Sequence, residues 1–289
     1  MRSLLLTLVA LIGLAFTDKP AYLIYNQQLK ASSYEELLRK ASEADIVLFG
    51  ELHNNSIDHW LQLELTKDLY KQKNEKLVLG AEMFESDNQI VLDEYLQNKI
   101  TSQQLTAEAK VWNNYQTDYK PLVDFAQEKK IPFIATNIPR RYASIVAKRG
   151  TDELKQLSPE AQQHIAPQPI PFDLTLPGYA ELIKMGGVHG SGSSISAENM
   201  AKAQAIKDAT MSHFILKHWK KGQTFLHFNG SYHSQNFEGI YWYLKKANPA
   251  LKIVTIATTE EANIEEPKDA KPELANFIIT VPETMTKTH

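Results

Sequence analysis

Six short apolar runs recur along the chain, each bounded by polar or turn-forming residues. Most are rich in Val, Ile, Leu and Phe and lack strict polar alternation, which is typical of strands buried on both faces. The runs lie at 45–50, 76–82, 131–136, 223–229, 252–257 and 275–281. Helical patterns separate most of them. This alternation predicts an α/β fold with a mostly parallel open sheet, helices on both faces and a helical insert.

The clearest helical pattern lies at 56–73, and a second helix is predicted over 197–221. Apolar residues spaced three or four positions apart share one face of the first helix, as in an amphipathic helix. They are Ile57, Trp60, Leu61, Leu65 and Leu69. On the second helix, Gln204 and Asp208 are four positions apart, so they share a polar face that we expect to look toward a site.

The start of the chain differs from the rest. An apolar stretch at 4–16 follows Arg2, with small residues around its end. This is typical of a secretory signal peptide and is shorter than the ~20 residues that span a bilayer. We therefore expect a signal peptide at 1–17, a mature chain starting near Asp18, and export to the periplasm or envelope. A buried N-terminal strand or helix is the weaker alternative.

Two stretches, 89–120 and 151–222, do not fit a simple strand–helix alternation. They predict helical insertions in a single domain that spans 18–289. Within the second, residues 185–194 (MGGVHGSGSS) predict a mobile loop. The chain has no cysteine, which excludes disulfides and thiolate metal sites and leaves no lipobox cysteine for a lipid anchor.

Polar residues follow four of the predicted strands at the point where each strand ends. The four ends are Gly50-Glu51-Leu52-His53, Glu82-Met83-Phe84-Glu85, Asn137-Ile138-Pro139-Arg140-Arg141 and Gly230-Ser231-Tyr232-His233. Ligands of open α/β sheets bind outside the carboxyl ends of the strands, so we expect these side chains to meet at one sheet edge. Two of the ends share a Gly-x-x-His pattern, in which glycine permits a sharp turn.

The paired histidines suggest a metal site. The predicted ligands of a divalent metal are His53, Glu82 and His233, with Glu51 as an alternative carboxylate. Asp58 and His59 begin the following helix and are near enough to orient those ligands. The alternative is that these polar residues cap helices and hydrogen-bond one another.

Five stretches between Phe49 and His233 also carry a family resemblance. They are FGELHNNSIDHWLQ, GAEMFESDNQ, NIPRRYASIVAKRG, AQAIKDATM and NGSYH. They resemble, in the same order, the ChaN-type haem-binding proteins of the TIKI-like superfamily. The resemblance implies an exported protein of haem and iron uptake that holds ferric haem through a tyrosine. It also implies a homodimer with two haems stacked face to face, and an outer-membrane haem receptor as a further partner. Many family members carry a lipid anchor cysteine, which this chain lacks.

The resemblance leaves the tyrosine ligand open. The candidates are Tyr142, Tyr179 and Tyr232, of which the first two are slightly favoured. Arg140 or Arg141 is expected to pair with a haem propionate. The alternative for each tyrosine is ordinary packing with a satisfied hydroxyl.

Two other interpretations stay open. Relatives in the superfamily use paired Gly-x-x-His motifs and a glutamate for metal-dependent hydrolysis. By that resemblance the catalytic residues are Glu51, His53, Glu82 and His233. A third interpretation is an exported binding protein for another ligand. The net charge of −3 and pI near 6.3 argue against a nucleic-acid partner.

Overall fold

The computed structural model of the protein describes residues 19–73, 76–188 and 196–289. The predicted signal peptide and most of the predicted loop at 185–194 lie outside these residues. The strands of the described part are β1 (Leu23–Asn26), β2 (Ile46–Glu51), β3 (Leu77–Glu85), β4 (Phe133–Asn137), β5 (Thr224–Gly230), β6 (Ile253–Glu261) and β7 (Phe277–Pro282). They form one seven-stranded sheet in the order β1-β7-β6-β2-β5-β3-β4.

Strand direction confirms the predicted fold class. β1 pairs antiparallel with β7, and every other neighbouring pair is parallel. The six predicted apolar runs correspond to β2 through β7. The sequence pattern did not predict β1, whose short run of four residues closes the antiparallel edge of the sheet.

The helices of the described residues are α1 (Tyr34–Glu43), α2 (Ser56–Lys73), α3 (Gln89–Leu96), α4 (Ser102–Glu108), α5 (Lys120–Lys129), α6 (Arg140–Arg149), α7 (Pro159–Gln162), α8 (Pro177–Val188), α9 (Ala197–His218) and α10 (Ile240–Ala247). Local polar groups fix several helix starts. The Ser33 and Ser196 hydroxyls accept backbone N–H bonds at the starts of α1 and α9. A capping box between Thr101 and Gln104 starts α4. The organisation as one domain with two insertions stays a prediction.

The sheet is buried on both faces because successive side chains of a strand point to opposite sides. In β2, Val47 and Phe49 join the core formed with α1, α2 and α5. Ile46 and Leu48 join a separate core formed with α9 and α10. Helices therefore cover both faces, and only the sheet edges and strand ends remain open for a site.

Helix α2 packs as predicted except at one position. Ile57, Leu61, Leu65 and Leu69 are buried, but Trp60 is 50% exposed. The assignment of Trp60 to the buried face is wrong. The buried side of α2 instead continues through polar residues, namely Asp58, His59, Gln62 and Thr66. Three of these hold the end of β2.

Strand order determines where a site can form. β5 lies between β2 and β3, and β3 lies next to β4. Because these four strands are parallel, their carboxyl ends meet at one edge of the sheet. No helix within the three described ranges is both long and apolar enough to cross a membrane.

Candidate functional site

A cleft of about 300 Å³ lies at the carboxyl ends of the central strands. Its lining comes from β3, β4, the segments after β2, β5 and α4, and helices α6 and α9. The lining residues are His53, Glu82, Glu85, Trp112, Asn137, Ile138, Arg140, Gln204, Lys207, Tyr232 and His233. The structure therefore brings His53, Glu82 and His233 together, as the strand ends predicted.

His53 is the accessible histidine of the cleft. Its Nδ1 lies 2.9 Å from Glu51 Oε1, and 39% of its side chain is exposed. The carboxylate of Glu51 is fully buried and also accepts hydrogen bonds from the Tyr119 hydroxyl at 2.7 Å and from Gln62 Nε2 at 2.5 Å. Burial opposes a charge on His53, but its hydrogen bond to Glu51 and the negative charges of Glu51 and Glu82 together outweigh burial and raise the pKa of His53.

His233 is buried between two carboxylates. Its Nδ1 lies 2.6 Å from Asp208 Oδ1 and its Nε2 lies 3.2 Å from Glu82 Oε1. The second oxygen of Asp208 accepts a hydrogen bond from the Tyr179 hydroxyl at 2.6 Å. The second oxygen of Glu82 accepts the Gly230 N–H at 2.9 Å. Every nitrogen and carboxylate oxygen of this group therefore has a partner.

The charges of His233 and Glu82 follow from their contacts with each other and with their neighbours. Burial disfavours a cation at His233, but Glu82 and Asp208 outweigh it and raise the pKa of His233 to about 10. Burial alone would raise the pKa of Glu82, yet His233 and the Gly230 N–H hold it well below its usual range. His233 is therefore an imidazolium beside an ionised Glu82 at neutral pH.

The glycines of the two Gly-x-x-His motifs make room for close packing. A Cβ on Gly230 would lie 2.8 Å from His53 Nε2, so the absence of a side chain lets the His53 ring rest against β5. A Cβ on Gly50 would lie 2.7 Å from the Ile256 carbonyl oxygen and 2.9 Å from Ser231 Cα. The two strand ends thus fit together because each motif begins with glycine.

Asp58 and His59 lie behind the cleft. The Asp58 carboxylate accepts the Leu52 N–H at 2.8 Å and the Thr258 hydroxyl at 2.6 Å, and burial raises its pKa to about 7. His59 Nε2 lies 3.2 Å from the His53 carbonyl oxygen and 3.3 Å from Asp118 Oδ2. Both residues therefore shape the segment that carries His53.

The predicted metal ligands are adjacent, but three of their four imidazole nitrogens already face carboxylates. Both nitrogens of His233 face carboxylates, and Nδ1 of His53 faces Glu51. In the part of the chain that the structure describes, no group of three or more His, Asp or Glu is arranged to hold a metal ion. The arrangement instead matches the alternative from the sequence, in which these groups hydrogen-bond one another.

The three candidate tyrosines lie in different surroundings. Tyr142 is buried, and its hydroxyl accepts a hydrogen bond from Arg141 at 3.1 Å. Tyr179 is also buried, and burial together with Asp208 raises its pKa strongly. Tyr232 is partly buried, lines the cleft and donates to the Gly178 carbonyl at 3.2 Å. Of the three, Tyr232 has its side chain at the cleft wall.

The two predicted arginines, Arg140 and Arg141, differ in how tightly neighbouring residues hold them. The Arg140 side chain is 78% exposed and lies 4.0 Å from Glu85. Arg141 is tied to Asp87 at 2.5 Å and stacks over the Tyr142 ring. An adjoining hollow of about 320 Å³ shares Glu85 and Arg140 with the cleft and adds Lys110 to its wall. Cationic side chains therefore line the rim on this side.

The sequence interpretation missed several site residues. Gln62 and Tyr119 hold Glu51, and Trp112 packs edge-on against His53 with ring centroids 4.9 Å apart. Lys207 lines the cleft from α9. Helical spacing gave a signal for Gln62, which lies four positions after Asp58 on α2, and for Lys207, which lies three positions after Gln204 on α9. Tyr119 and Trp112 come from the helical insertion, whose path over the cleft no local pattern indicates.

Comparison with known proteins gives a family for this architecture. A family profile described as haem-binding uptake, Tiki superfamily, ChaN matches residues 37–244. Comparison with curated protein sequences gives no match.

Two solved structures are similar in fold. The chain aligns with ChaN of Campylobacter jejuni, described for its cofacial haem binding, at 18% identity and a TM-score of 0.69, covering 89% of this chain and 96% of that one. It aligns with a Bacillus cereus protein at 10% identity and a TM-score of 0.51, covering 89% of this chain and 93% of that one. At such identities the likeness shows the fold alone.

Proposed function

The chain belongs to the haem-binding uptake family ChaN of the Tiki superfamily, and on that premise we propose that it binds ferric haem at the carboxyl edge of the sheet. The observation that carries the proposal is the family match over 37–244, which includes the ends of all four strands at the cleft, β2, β3, β4 and β5. The proposed role is haem and iron uptake, with an outer-membrane haem receptor as a partner.

The cleft residues fit the chemistry of haem. Haem is a flat apolar disc with two carboxylates, so its site needs an axial donor, apolar contact and cations at the rim. Trp112 and Ile138 supply apolar surface, and Arg140 and Lys207 supply positive charge. When bound, haem would supply a ferric iron, for which a phenolate oxygen is a suitable ligand.

Tyr232 is the proposed ligand. It lines the cleft, whereas Tyr142 and Tyr179 are buried in the helical layer beside it. Burial raises the pKa of Tyr232, so the phenol is protonated before it meets iron. Tyr232 would hold the iron through its phenolate oxygen, after its hydroxyl proton is released to solvent and its bond to the Gly178 carbonyl is lost. Loss of that hydrogen bond costs little, because at 3.2 Å it is long for an O–H donor.

Arg140 is the proposed partner of a propionate. Its guanidinium is mostly exposed and only loosely paired with Glu85, so it can form a bidentate pair with a carboxylate. Arg141 already binds Asp87 and is better placed to hold α6 against the turn after β3. A haem on this open edge leaves one face uncovered, and a second copy of the chain is proposed to cover it in a homodimer.

Export is the proposed localisation, carried by the apolar stretch at 4–16 after Arg2. Cell fractionation should place the protein in the periplasm or envelope, and N-terminal sequencing of that material should begin near Asp18. Exported material that retains Met1 would contradict the signal peptide but not haem binding.

A haem titration tests the proposed function. The purified chain should give the visible spectrum of tyrosinate-ligated ferric haem when haem is added. Tyr232→Phe should lose that spectrum, since phenylalanine keeps the packing and removes only the oxygen. Tyr142→Phe and Tyr179→Phe are matched controls that should retain it. Sedimentation with and without haem should show a dimer with haem only.

The outcomes distinguish a wrong choice of ligand from a wrong proposed function. Loss of the spectrum in Tyr142→Phe or Tyr179→Phe, with Tyr232→Phe unchanged, would show that Tyr232 is not the ligand. The absence of any haem spectrum in the parent chain would overturn the proposed function itself.

A second candidate function is metal-dependent hydrolysis. The observation that favours it is the His53–Glu51 pair beside Glu82, where an accessible imidazole lies next to a carboxylate within one cleft. Assays with ester and amide substrates, with and without added Mn²⁺ or Zn²⁺, test it. Hydrolysis that His53→Gln removes, with haem binding unchanged in the variant, would favour this function.

A further inference from the structure

Two amide residues that line the cleft, Asn137 and Gln204, each have a buried carbonyl oxygen that lacks a donor. Asn137, only 9% exposed, donates its Nδ2 to the Glu82 carbonyl at 3.0 Å, which fixes the orientation of its amide. Its Oδ1 has no partner among the described residues, and neither does Oε1 of Gln204. Buried polar atoms in native proteins are nearly always hydrogen-bonded, so these two acceptors indicate a missing donor.

Two basic side chains line the same cleft. Lys207 is three positions after Gln204 on α9, so both side chains project from one face of the helix. Arg140 begins α6 and lies 4.0 Å from Glu85, which leaves most of its guanidinium open to another anion. The cleft thus combines acceptors that need a donor with cations that can take a carboxylate.

The geometry points to a second ligand, distinct from haem, that binds the same cleft when haem is absent. We propose that the cleft binds a small carboxylic acid that carries a hydroxyl or amino group, with its carboxylate on Lys207 and Arg140 and its donor group on Asn137 and Gln204. The volume of about 300 Å³ suits a small molecule and lies at the low end of ligand pockets. Both acceptors are buried, so binding includes a small rotation of both the Asn137 and the Gln204 amide toward the cleft.

Calorimetric titration of the haem-free full chain tests this proposal. Lactate and alanine carry both groups, whereas acetate lacks the donor and glycerol lacks the carboxylate. We expect lactate, alanine or both to bind about tenfold more tightly than acetate and glycerol, as one additional hydrogen bond of about 1.4 kcal/mol implies. Binding of lactate alone identifies a hydroxy acid, and binding of alanine alone identifies an amino acid.

Variants test the contacts. Gln204→Leu should abolish the preference for lactate or alanine over acetate, and Lys207→Met should weaken all three carboxylates. Lys202→Met is the matched control, because Lys202 lies on the same helix and pairs with Glu198 away from the cleft. Circular dichroism confirms that each variant is folded.

Equal affinities for lactate, alanine, acetate and glycerol, or no binding at all, would overturn the proposal without any variant. Retention of the preference in a folded Gln204→Leu variant would also overturn it. Because every titration is done without haem, these outcomes do not depend on whether the proposed haem site is right.

Discussion

The two Gly-x-x-His ends share a sequence pattern but differ in environment. After β2, His53 is partly exposed and touches one carboxylate, Glu51. After β5, His233 is buried and lies between Glu82 and Asp208. The difference arises because α9 lies over the β5 end and brings Asp208 to it, whereas the β2 end faces the cleft. One motif therefore yields an accessible imidazole and a buried structural cation.

The largest expected effect is a difference between the two histidines in how much their substitution lowers the stability of the fold. His233→Gln removes the cation between two buried carboxylates and should lower the free energy of unfolding by about 3–5 kcal/mol. His53→Gln should lower it by less than about 1 kcal/mol, because Tyr119 and Gln62 still hydrogen-bond Glu51. Urea unfolding at pH 6 measures both. Equal losses would show that the two environments do not differ as the contacts imply.

The pH dependence of stability tests the same difference between His53 and His233. The pKa of His233 is raised from 6.5 to about 10, so its contribution is full below pH 6.5 and is lost as pH rises toward 10. The stability difference between the parent and His233→Gln should therefore shrink by about 3 kcal/mol from pH 6 to pH 9. Unfolding curves at both pH values measure this. A difference that grows with pH would contradict a cationic His233.

The two glycines should differ as well. Gly50→Ala places a Cβ against the backbone of Ile256 and Ser231, which cannot easily move, and should cost about 1–3 kcal/mol. Gly230→Ala places its Cβ against the His53 ring, which is partly exposed and can turn away. Its cost should stay below about 1 kcal/mol, since only a side chain shifts. Thermal unfolding compares the two variants, and a larger loss in Gly230→Ala would reverse the expected order.

A ring displacement is the smallest expected effect. In Gly230→Ala the NMR signals of the His53 ring should shift, while those of His233 stay near their parent positions. Gly222→Ala is a poor control, because Gly222 has a φ of +90°. Spectra of the wild-type chain at urea concentrations below the unfolding transition give the reference for signal shifts that are not specific to the substitution. Unchanged His53 signals in a folded Gly230→Ala variant would contradict the close contact between Gly230 and His53.

The sequence predicted the sheet well because six of its strands are continuous apolar runs. β1 escaped prediction since its four residues have no strong pattern, and it is positioned only by pairing with β7. The meeting of His53, Glu82 and His233 followed from parallel strands ending at one edge. The occupancy of both His233 nitrogens did not follow, because Asp208 lies 25 positions away and reaches the site only through the packing of α9.

The partners of Glu51 show the same limit. Gln62 lies on α2, the helix that follows β2. Its contact with Glu51 therefore depends only on the turn between β2 and α2 and on the position of Gln62 along the helix. Tyr119 lies in a π-helical turn at Tyr115–Tyr119, 68 positions from Glu51. Such a contact depends on how an insertion folds back over the sheet, which local propensity does not determine.

A crystal structure of the chain with ferric haem, using the anomalous scattering of iron, tests the central proposal most directly. The expected result is an iron atom at the carboxyl edge of β2, β3 and β5, bound by the Tyr232 hydroxyl oxygen, with Tyr232 no longer bonded to Gly178. The surrounding His233 group should be unchanged, since its nitrogens already have partners. An iron atom bound at another surface, or one ligated by His53 or His233, would contradict the proposal.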